Sequence, residues 1–560
     1  MVRQLLERIA APVRGLHQAA YLLAGLTLAS QALALLRDRT FAHTFGAGQT
    51  LDIYYAAFRV PDLVFALVSS LVSAYVIIPR IAGMSREETQ RLLSESATFL
   101  FGVGGFICII LGIFMPQFLT FLYPSLMASS QQSAFVFLAR ILLVQPILLG
   151  LSGVIGSVAQ VHRRFTLFAL SPVLYNLGII IGAIVLYPLW GLPGIGVGVV
   201  IGAVAYLSVH IPVVMQAGVM PHVRFPTFSL MYSVMRDSVP RSLALSVNSI
   251  MLLVLTAMAA RIGTGGVSVF SFASNLEAVP LALIGSSYAI AAFPALSEAF
   301  AKKDKEEFMK ILSASARHII LWSIVAFGLI VVLRAHIVRV ILGSGAFDWN
   351  ATRLTAALLA VLALGLVVDS LKLLFSRALY AAQQSWRPLL YQLAGAALTI
   401  ALALAFLALP GAGIPSSLAS LLRVTDVVGA DVLLLALAYV IGQFFLVFLS
   451  LIALRTIVPG LSRTLVRPVF DGGFAAFAGG VAAYGILVIA GGIASLTTLA
   501  AVFTQGFVAG VVGLAVSGLV LFFVENEEFL IVAQALSRLM HLPMHRASEL
   551  VSPIEDPTRS

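Results

Sequence analysis

The sequence predicts an all-α protein that crosses a membrane about fourteen times, and three observations carry that prediction. Hydrophobic residues make up 60% of the 560 positions and charged residues only 10%, against roughly 25% charged in an average soluble domain. Apolar stretches of about 20 residues, the length that spans a hydrocarbon core, recur along the chain. Basic residues lie in small groups at the ends of these stretches, and they concentrate in every second connection.

In order, the spans lie near 17–45, 51–79, 94–120, 133–160, 165–187, 192–217, 237–261, 266–299, 314–343, 352–382, 386–409, 431–454, 470–493 and 499–524. An even number places both termini on one side. Connections on that side hold 24 Lys and Arg; those opposite hold three, Arg261, Arg353 and Arg423, and seven more fall within spans. Both termini are therefore expected in the cytoplasm. The net charge of +10 follows from this topology and does not form a nucleic-acid patch.

Before the first span, Arg3, Arg8 and Arg14 alternate with Leu5, Leu6, Ile9 and Val13, with no small-residue cleavage site after them. Residues 1–16 read as an interfacial amphipathic helix, with a disordered start as the alternative. The first two spans carry charge where lipid is expected: Arg37, Asp38 and Arg39 near the far end of the first, and Asp52, Arg59 and Asp62 in the second. An Arg or Asp at a helix centre is unfavourable by about 2.5–3.5 kcal/mol, so such groups pair or line a wet cavity. Gly46-Ala47-Gly48 and Pro61 read as a hinge, or as a simple tight turn. Cys108, the single cysteine, sits in an apolar run, which points to packing and leaves no disulfide framework open.

The chain echoes itself. Val154-Ile155-Gly156-Ser157-Val158-Ala159-Gln160, a basic turn, and Pro172-Val173-Leu174-Tyr175-Asn176-Leu177-Gly178 return about 215 residues later as Arg377-Ala378-Leu379-Tyr380-Ala381-Ala382-Gln383 and Pro388-Leu389-Leu390-Tyr391-Gln392-Leu393-Ala394. Six helices per copy bring the chain back to its starting side, so the repeats are parallel, related by a pseudo-two-fold axis along the membrane normal. Coincidence in an Ala/Leu/Gly-rich chain is the alternative. The repeat gives a six-helix N-lobe over 17–220, a six-helix C-lobe over 221–457, two further helices over 458–524 and a cytoplasmic tail over 525–560 with an amphipathic piece near 529–540. The connection 411–430 is outside and carries only Arg423 and Asp426 as charges.

No enzyme constellation is present. The nine histidines are scattered, there is no HExxH or phosphate loop, and Gly-rich runs such as 194–202 fall inside an apolar helix, where close packing accounts for them. No cofactor or metal is expected. The embedded charges remain. Ser30 and Arg37 share a helix face, and Arg59 and Asp62, three apart, can meet. A guanidinium fork suits diphosphate oxygens and stays charged at any cellular pH, so Arg37, Arg39 and Arg59 point to an anion site. The competing reading is a mutually paired Arg37-Asp38-Arg39 cap on a shorter first helix. Asp369 and Lys372, three apart in the tenth span, read either as a self-neutralising pair or as a coupling pair. Glu277 reads either as a buried protonated carboxyl or as a gating or coupling carboxylate. Arg140, Arg334 and Arg339 snorkel or line the interior.

Ser30, Arg37-Asp38, Phe45-Gly46-Ala47-Gly48, Asp52 and Phe58-Arg59-Val60-Pro61-Asp62 together resemble the opening signature of the MurJ/MviN lipid II flippase family, within the multidrug/oligosaccharidyl-lipid/polysaccharide exporter superfamily. Ser171-Pro172 to Asn176, Pro280, Pro294-Ala295-Leu296-Ser297, Gly345-Ala346-Phe347 and Arg377-Ala378-Leu379-Tyr380-Ala381 follow in order, so the resemblance runs from about Ala20 to Arg455. It implies two six-helix lobes plus two helices, a bacterial cytoplasmic membrane location, and site roles for Ser30, Arg37, Asp38, Asp52 and Arg59. The chain departs from the family at Gln31, Phe65, Ala66 and Asn275, where family members carry Arg, at Ser70-Leu71, where they carry Glu-Gly, and at Ala34, where they carry Gly. Several cavity cations are thus missing, which bears on cargo more than on fold.

The expected function is movement of lipid II, or a related polyprenyl-diphosphate glycan, to the outer leaflet by alternating access. Arg37 and Arg59 would hold the diphosphate, with Ser30 beside them, and Asp38 and Asp52 would orient them or open the outer gate. Two alternatives stand: export of another lipid-linked glycan or a small molecule, coupled to protons at Glu277, and a non-transporting scaffold for cell-wall enzymes. No nucleotide site is present, so the membrane potential or an ion gradient is left to drive export. Membrane lipids and cell-wall synthesis proteins are the further partners this reading admits.

Overall fold

The computed structural model describes residues 16–68, 72, 74–81, 83–162, 164–408, 414–493 and 498–539. Residues 1–15 of the expected interfacial helix over 1–16 and the end of the tail lie outside these. Every regular element among the described residues is helical. In chain order we label α1 (Leu16–Phe45), α2 (Gln49–Leu67), α3 (Ala74–Ile81), α4 (Arg86–Ile113), α5 (Gln132–Val161), α6 (Thr166–Trp190), α7 (Leu192–Ala217), α8 (Phe228–Ile262), α9 (Gly266–Ala301), α10 (Lys305–Ile341), α11 (Trp349–Ala381), α12 (Trp386–Ala408), α13 (Val432–Ile457), α14 (Leu461–Gly491), α15 (Leu499–Phe523) and α16 (Glu527–Leu539). The twelve helices from α4 to α15 are long and apolar enough to cross a membrane. α1 and α2 occupy the first two expected spans; α2 carries three charges in its nineteen residues.

Two expected spans differ in detail. The second ends as a helix at Leu67 and resumes at Ala74. The third begins earlier, at Arg86, and stops at Ile113. Ser85 caps its start, its hydroxyl accepting from Glu88 N (3.3 Å) while its own N–H donates to Glu88 Oε2 (2.8 Å), a reciprocal arrangement that satisfies two orphan donors. It stops because Pro116 has no N–H to continue the ladder, and the chain restarts as Met115–Leu122.

By contact density the chain divides into two units, Met1–Val279 with Val338–Leu362 and Gln383–Ser450, and Pro280–Ile337 with Ala363–Ala382 and Leu451–Ser560. Within the first, α6 and α7 cross at glycines. A Cβ on Gly202 would lie 2.6 Å from the Tyr175 carbonyl oxygen, and one on Gly198 would lie 2.7 Å from that of Gly178. The glycine run read as packing in the sequence thus lets two backbones touch, the main attractive term available between helices in lipid. Within the second unit, Leu321, Val325, Leu329 and Leu333 of α10 pack with Ala475 and Ala483 of α14 and with Ala509 and Leu521 of α15. Arg317 holds the start of α16 through Glu528 at 2.9 Å.

Candidate functional site

α2 begins after a turn that Gly46 makes possible: its φ is +62°, a region closed to most residues with a Cβ. From there Tyr55, Arg59 and Asp62 fall on one side of the helix at spacings of four and three. They meet Arg37 of α1 around a cavity of about 430 Å³, walled also by Gln145 of α5, Tyr175 of α6, Leu252 of α8 and Asn275 of α9. Phe41, Tyr54 and Phe58 stack edge to face beside it, with centroids 4.7 and 4.9 Å apart.

Arg37 is held on three sides. Its Nε and Nη2 donate to Asp38 Oδ1 at 2.9 and 2.8 Å, and its Nη1 donates to Asn176 Oδ1 at 3.0 Å. Asn275 Nδ2 in turn donates to Asp38 Oδ2 at 3.0 Å, and Asn176 is oriented by its own bond to the Pro172 carbonyl. Asp38 is only 1% exposed, so this pairing is what makes its burial tolerable. Arg59 is held by one atom: Nε donates to Thr256 Oγ1 at 2.8 Å, and that hydroxyl donates onward to Leu252 O. Among the described residues the Nη groups of Arg59 make no hydrogen bond, and the side chain lines the cavity. Among the described residues no ion pair joins Arg59 to Asp62, although both line the space.

The other residues singled out from sequence go elsewhere. Asp52 is fully buried and does not line the cavity. Its Oδ2 accepts from Gly265 N at 2.6 Å, and its Oδ1 accepts from Ser268 N at 2.8 Å and Ser268 Oγ at 2.5 Å. It therefore caps the start of α9 from α2, where the helix dipole favours a carboxylate. The same turn is packed on a second one, with Ala346 N donating to His43 O at 2.9 Å. Arg39 is not part of a cap with Arg37 and Asp38; its Nη1 donates to Val340 O at 2.6 Å, at the end of α10. Ser30 is half-buried on α1 and does not line the cavity. Glu277 is buried on α9, two residues past Asn275, and is likewise not a lining residue. Asp369 and Lys372 form an ion pair at 2.6 Å in the second unit.

Asn176, Asn275, Thr256, Tyr54, Tyr55 and Tyr175 complete a site that the charges alone did not delineate. Asn275 was noted in the sequence only as a missing cation; here it donates to the carboxylate that orients Arg37.

The family model described as lipid II flippase MurJ matches residues 41–486, most of the chain. Arg37 and Asp38 stand just before that range, and the other cavity residues fall within it. The lipid II flippase MurJ of Burkholderia cenocepacia is 26% identical over 386 residues, covering 67% of this chain and 75% of its own. The probable lipid II flippase MurJ of Thermotoga maritima is 26% identical over 379 residues, covering 67% and 76%. A solved structure of a lipid II flippase MurJ in an inward closed conformation superposes with a TM-score of 0.70 at 19% identity, over 90% of this chain and all of that one. An inward-facing multidrug resistance transporter of the MATE family, in the MOP superfamily, gives 0.62 at 17% identity over 78% of this chain. A multi-pass helical protein whose charged cavity is built by the first, second, fifth, sixth, eighth and ninth helices, and whose sequence meets the family model over most of its length, is thereby placed: the chain belongs to the lipid II flippase MurJ family.

Proposed function

We propose that this protein moves lipid II across the bacterial inner membrane, binding its diphosphate in the cavity of the first unit. One observation carries the site assignment: Arg59, whose Nη groups make no hydrogen bond among the described residues, lines a cavity that a second, pre-oriented guanidinium also lines. The polyprenyl tail is at home in hydrocarbon, at about 0.8 kcal/mol per methylene, so the barrier belongs to the head group. Arg59 grips the diphosphate with its fork, Arg37 adds charge from a fixed position, and Asp38 with Asn275 keeps that position. Asp52 closes the joint between the start of α2 and the start of α9 that opens for release, and movement of the two six-helix repeats over 17–220 and 221–457 exposes the cavity to each side in turn. Both termini lie in the cytoplasm under this reading. No bond is made or broken and no cofactor is required; the membrane potential drives an anion outward by about 2.3 kcal/mol per charge per 100 mV. Cell-wall synthesis proteins would receive the cargo outside.

Having two arginines facing the cavity, with Asn275 where the family has a third, favours a second reading in which the cargo is another polyprenyl-diphosphate glycan. The deciding test is the appearance of lipid II head groups at the outer face of cells depleted of their own flippase. The parent chain should restore it, and equally abundant Arg37→Ala and Arg59→Ala forms should not. Restoration by all three would point instead to a scaffold role. Failure of an inserted parent chain, when a host-derived control succeeds, would favour a different cargo.

A further inference from the structure

Asp62 is a carboxylate without a role in the scheme above. It stands one turn beyond Arg59 and lines the same cavity, yet among the described residues it forms neither an ion pair nor a hydrogen bond. The groups that face it are Arg59, Tyr54 and Tyr55 on its own helix, Arg37 on α1, Tyr175 on α6 and Asn275 on α9. Gln145 of α5, Ser271 and Ser274 of α9, and Tyr123, just past Met115–Leu122, are the further polar groups around it. Arginines stay charged and tyrosines neutral across cellular pH, and Asp38 is already tied to Arg37 and Asn275. Counted with Asp38, two cations face two carboxylates, so the empty cavity has no net charge. A doubly anionic diphosphate placed on Arg59 comes close to Asp62, and their repulsion is screened far less than in water.

We propose that Asp62 takes up a proton as the anionic head group binds, so that cargo and proton occupy the cavity together and Asp62 sets which anions are admitted. This rests on the reading that the cavity holds a diphosphate. The step is the addition of a proton to one carboxylate oxygen, with no change in the cargo. Linkage makes it reciprocal: whatever factor the proton adds to cargo affinity, the cargo adds to proton affinity.

The test is binding of a farnesyl diphosphate ester of N-acetylglucosamine to the purified full chain in lipid nanodiscs, between about pH 5.5 and 8.5. Each phosphate of that probe keeps a single charge over the range. Affinity of the parent should fall by up to about tenfold per pH unit, the limit for one linked proton. Asp62→Asn should bind as tightly as the parent does at the acid end and show no slope, while Asp62→Glu keeps the slope. A flat parent profile, or a parent-like slope in Asp62→Asn, overturns the proposal. A dependence on sodium at fixed pH that Asp62→Asn abolishes would assign Asp62 to a metal cation and overturn the proton. Arg59→Ala, expected to lose binding at every pH, locates the probe. If neither the parent nor Asp62→Asn binds at any pH, the diphosphate reading itself fails, and this proposal with it.

Discussion

Arg59 and Arg37 hold the same charge in different ways, and that difference predicts different mutational outcomes. Arg59→Lys keeps the charge but loses the planar fork, and one charge-assisted hydrogen bond is worth about 1.5–3 kcal/mol. Outer-leaflet exposure of lipid II should therefore fall about 10- to 100-fold at matched abundance. Asn275→Ala acts through stability instead. It removes a donor to the buried Asp38 Oδ2, a loss of about 1–3 kcal/mol, read as a lower midpoint of thermal unfolding in detergent. The arginines were legible in the sequence because a charge inside an apolar run stands out. Asn176, Thr256 and Asn275 were not, because neutral polar residues are ordinary in such helices. What makes them part of a site is their meeting with residues 139, 197 and 237 positions away.

At the scale of elements, two joints shape the site. Asp52→Ala leaves the Gly265 and Ser268 N–H groups without their acceptor, and loss of such a cap costs about 0.5–2 kcal/mol. Faster hydrogen exchange confined to the start of α9 is the expected reading, with Asp52→Asn, which keeps a single acceptor oxygen, retaining only one of the two N–H contacts and giving an intermediate rate. At the second joint, Gly202→Leu would drive α7 away from α6 at Tyr175, whose carbonyl oxygen leaves no room for a Cβ. The variant should insert yet lose cargo binding, because Tyr175 and its neighbour Asn176 move with α6. Helix positions were readable from apolar length, and the expected spans coincide with observed helices. The breaks at Leu67 and Phe114 were missed, since hydropathy runs on through them. Only Pro116 signalled one.

For the molecule as a whole, topology makes the most direct prediction. With Cys108 replaced, a cysteine at Asp426 should react with an impermeant reagent added to intact cells, and one at Lys303 only after permeabilisation. The Asp426 side of the chain also has a pH signature. Arg353 grips that carboxylate at both oxygens, at 2.8 and 2.5 Å, and holds it down to about 2, below the value of about 3.9 for a free Asp. The contact is therefore fully present above about pH 4 and lost as pH falls through about 2. Protection of the amides in 416–426, taken relative to their intrinsic exchange rate at each pH, should stay constant from neutral pH down to that window and fall within it, and Arg353→Ala should show the lower protection at neutral pH. The mutual cancellation of Arg37, Arg59, Asp38 and Asp62 also has an electrical meaning. An empty carrier whose moving cavity is neutral does no work against the membrane field when it resets, whereas the loaded form gains about 2.3 kcal/mol per net charge per 100 mV. Under the proposed function, voltage drives only one half of the turnover cycle, and the expected outcome is that depolarisation slows the loaded stroke and leaves the return of the empty protein at its resting rate.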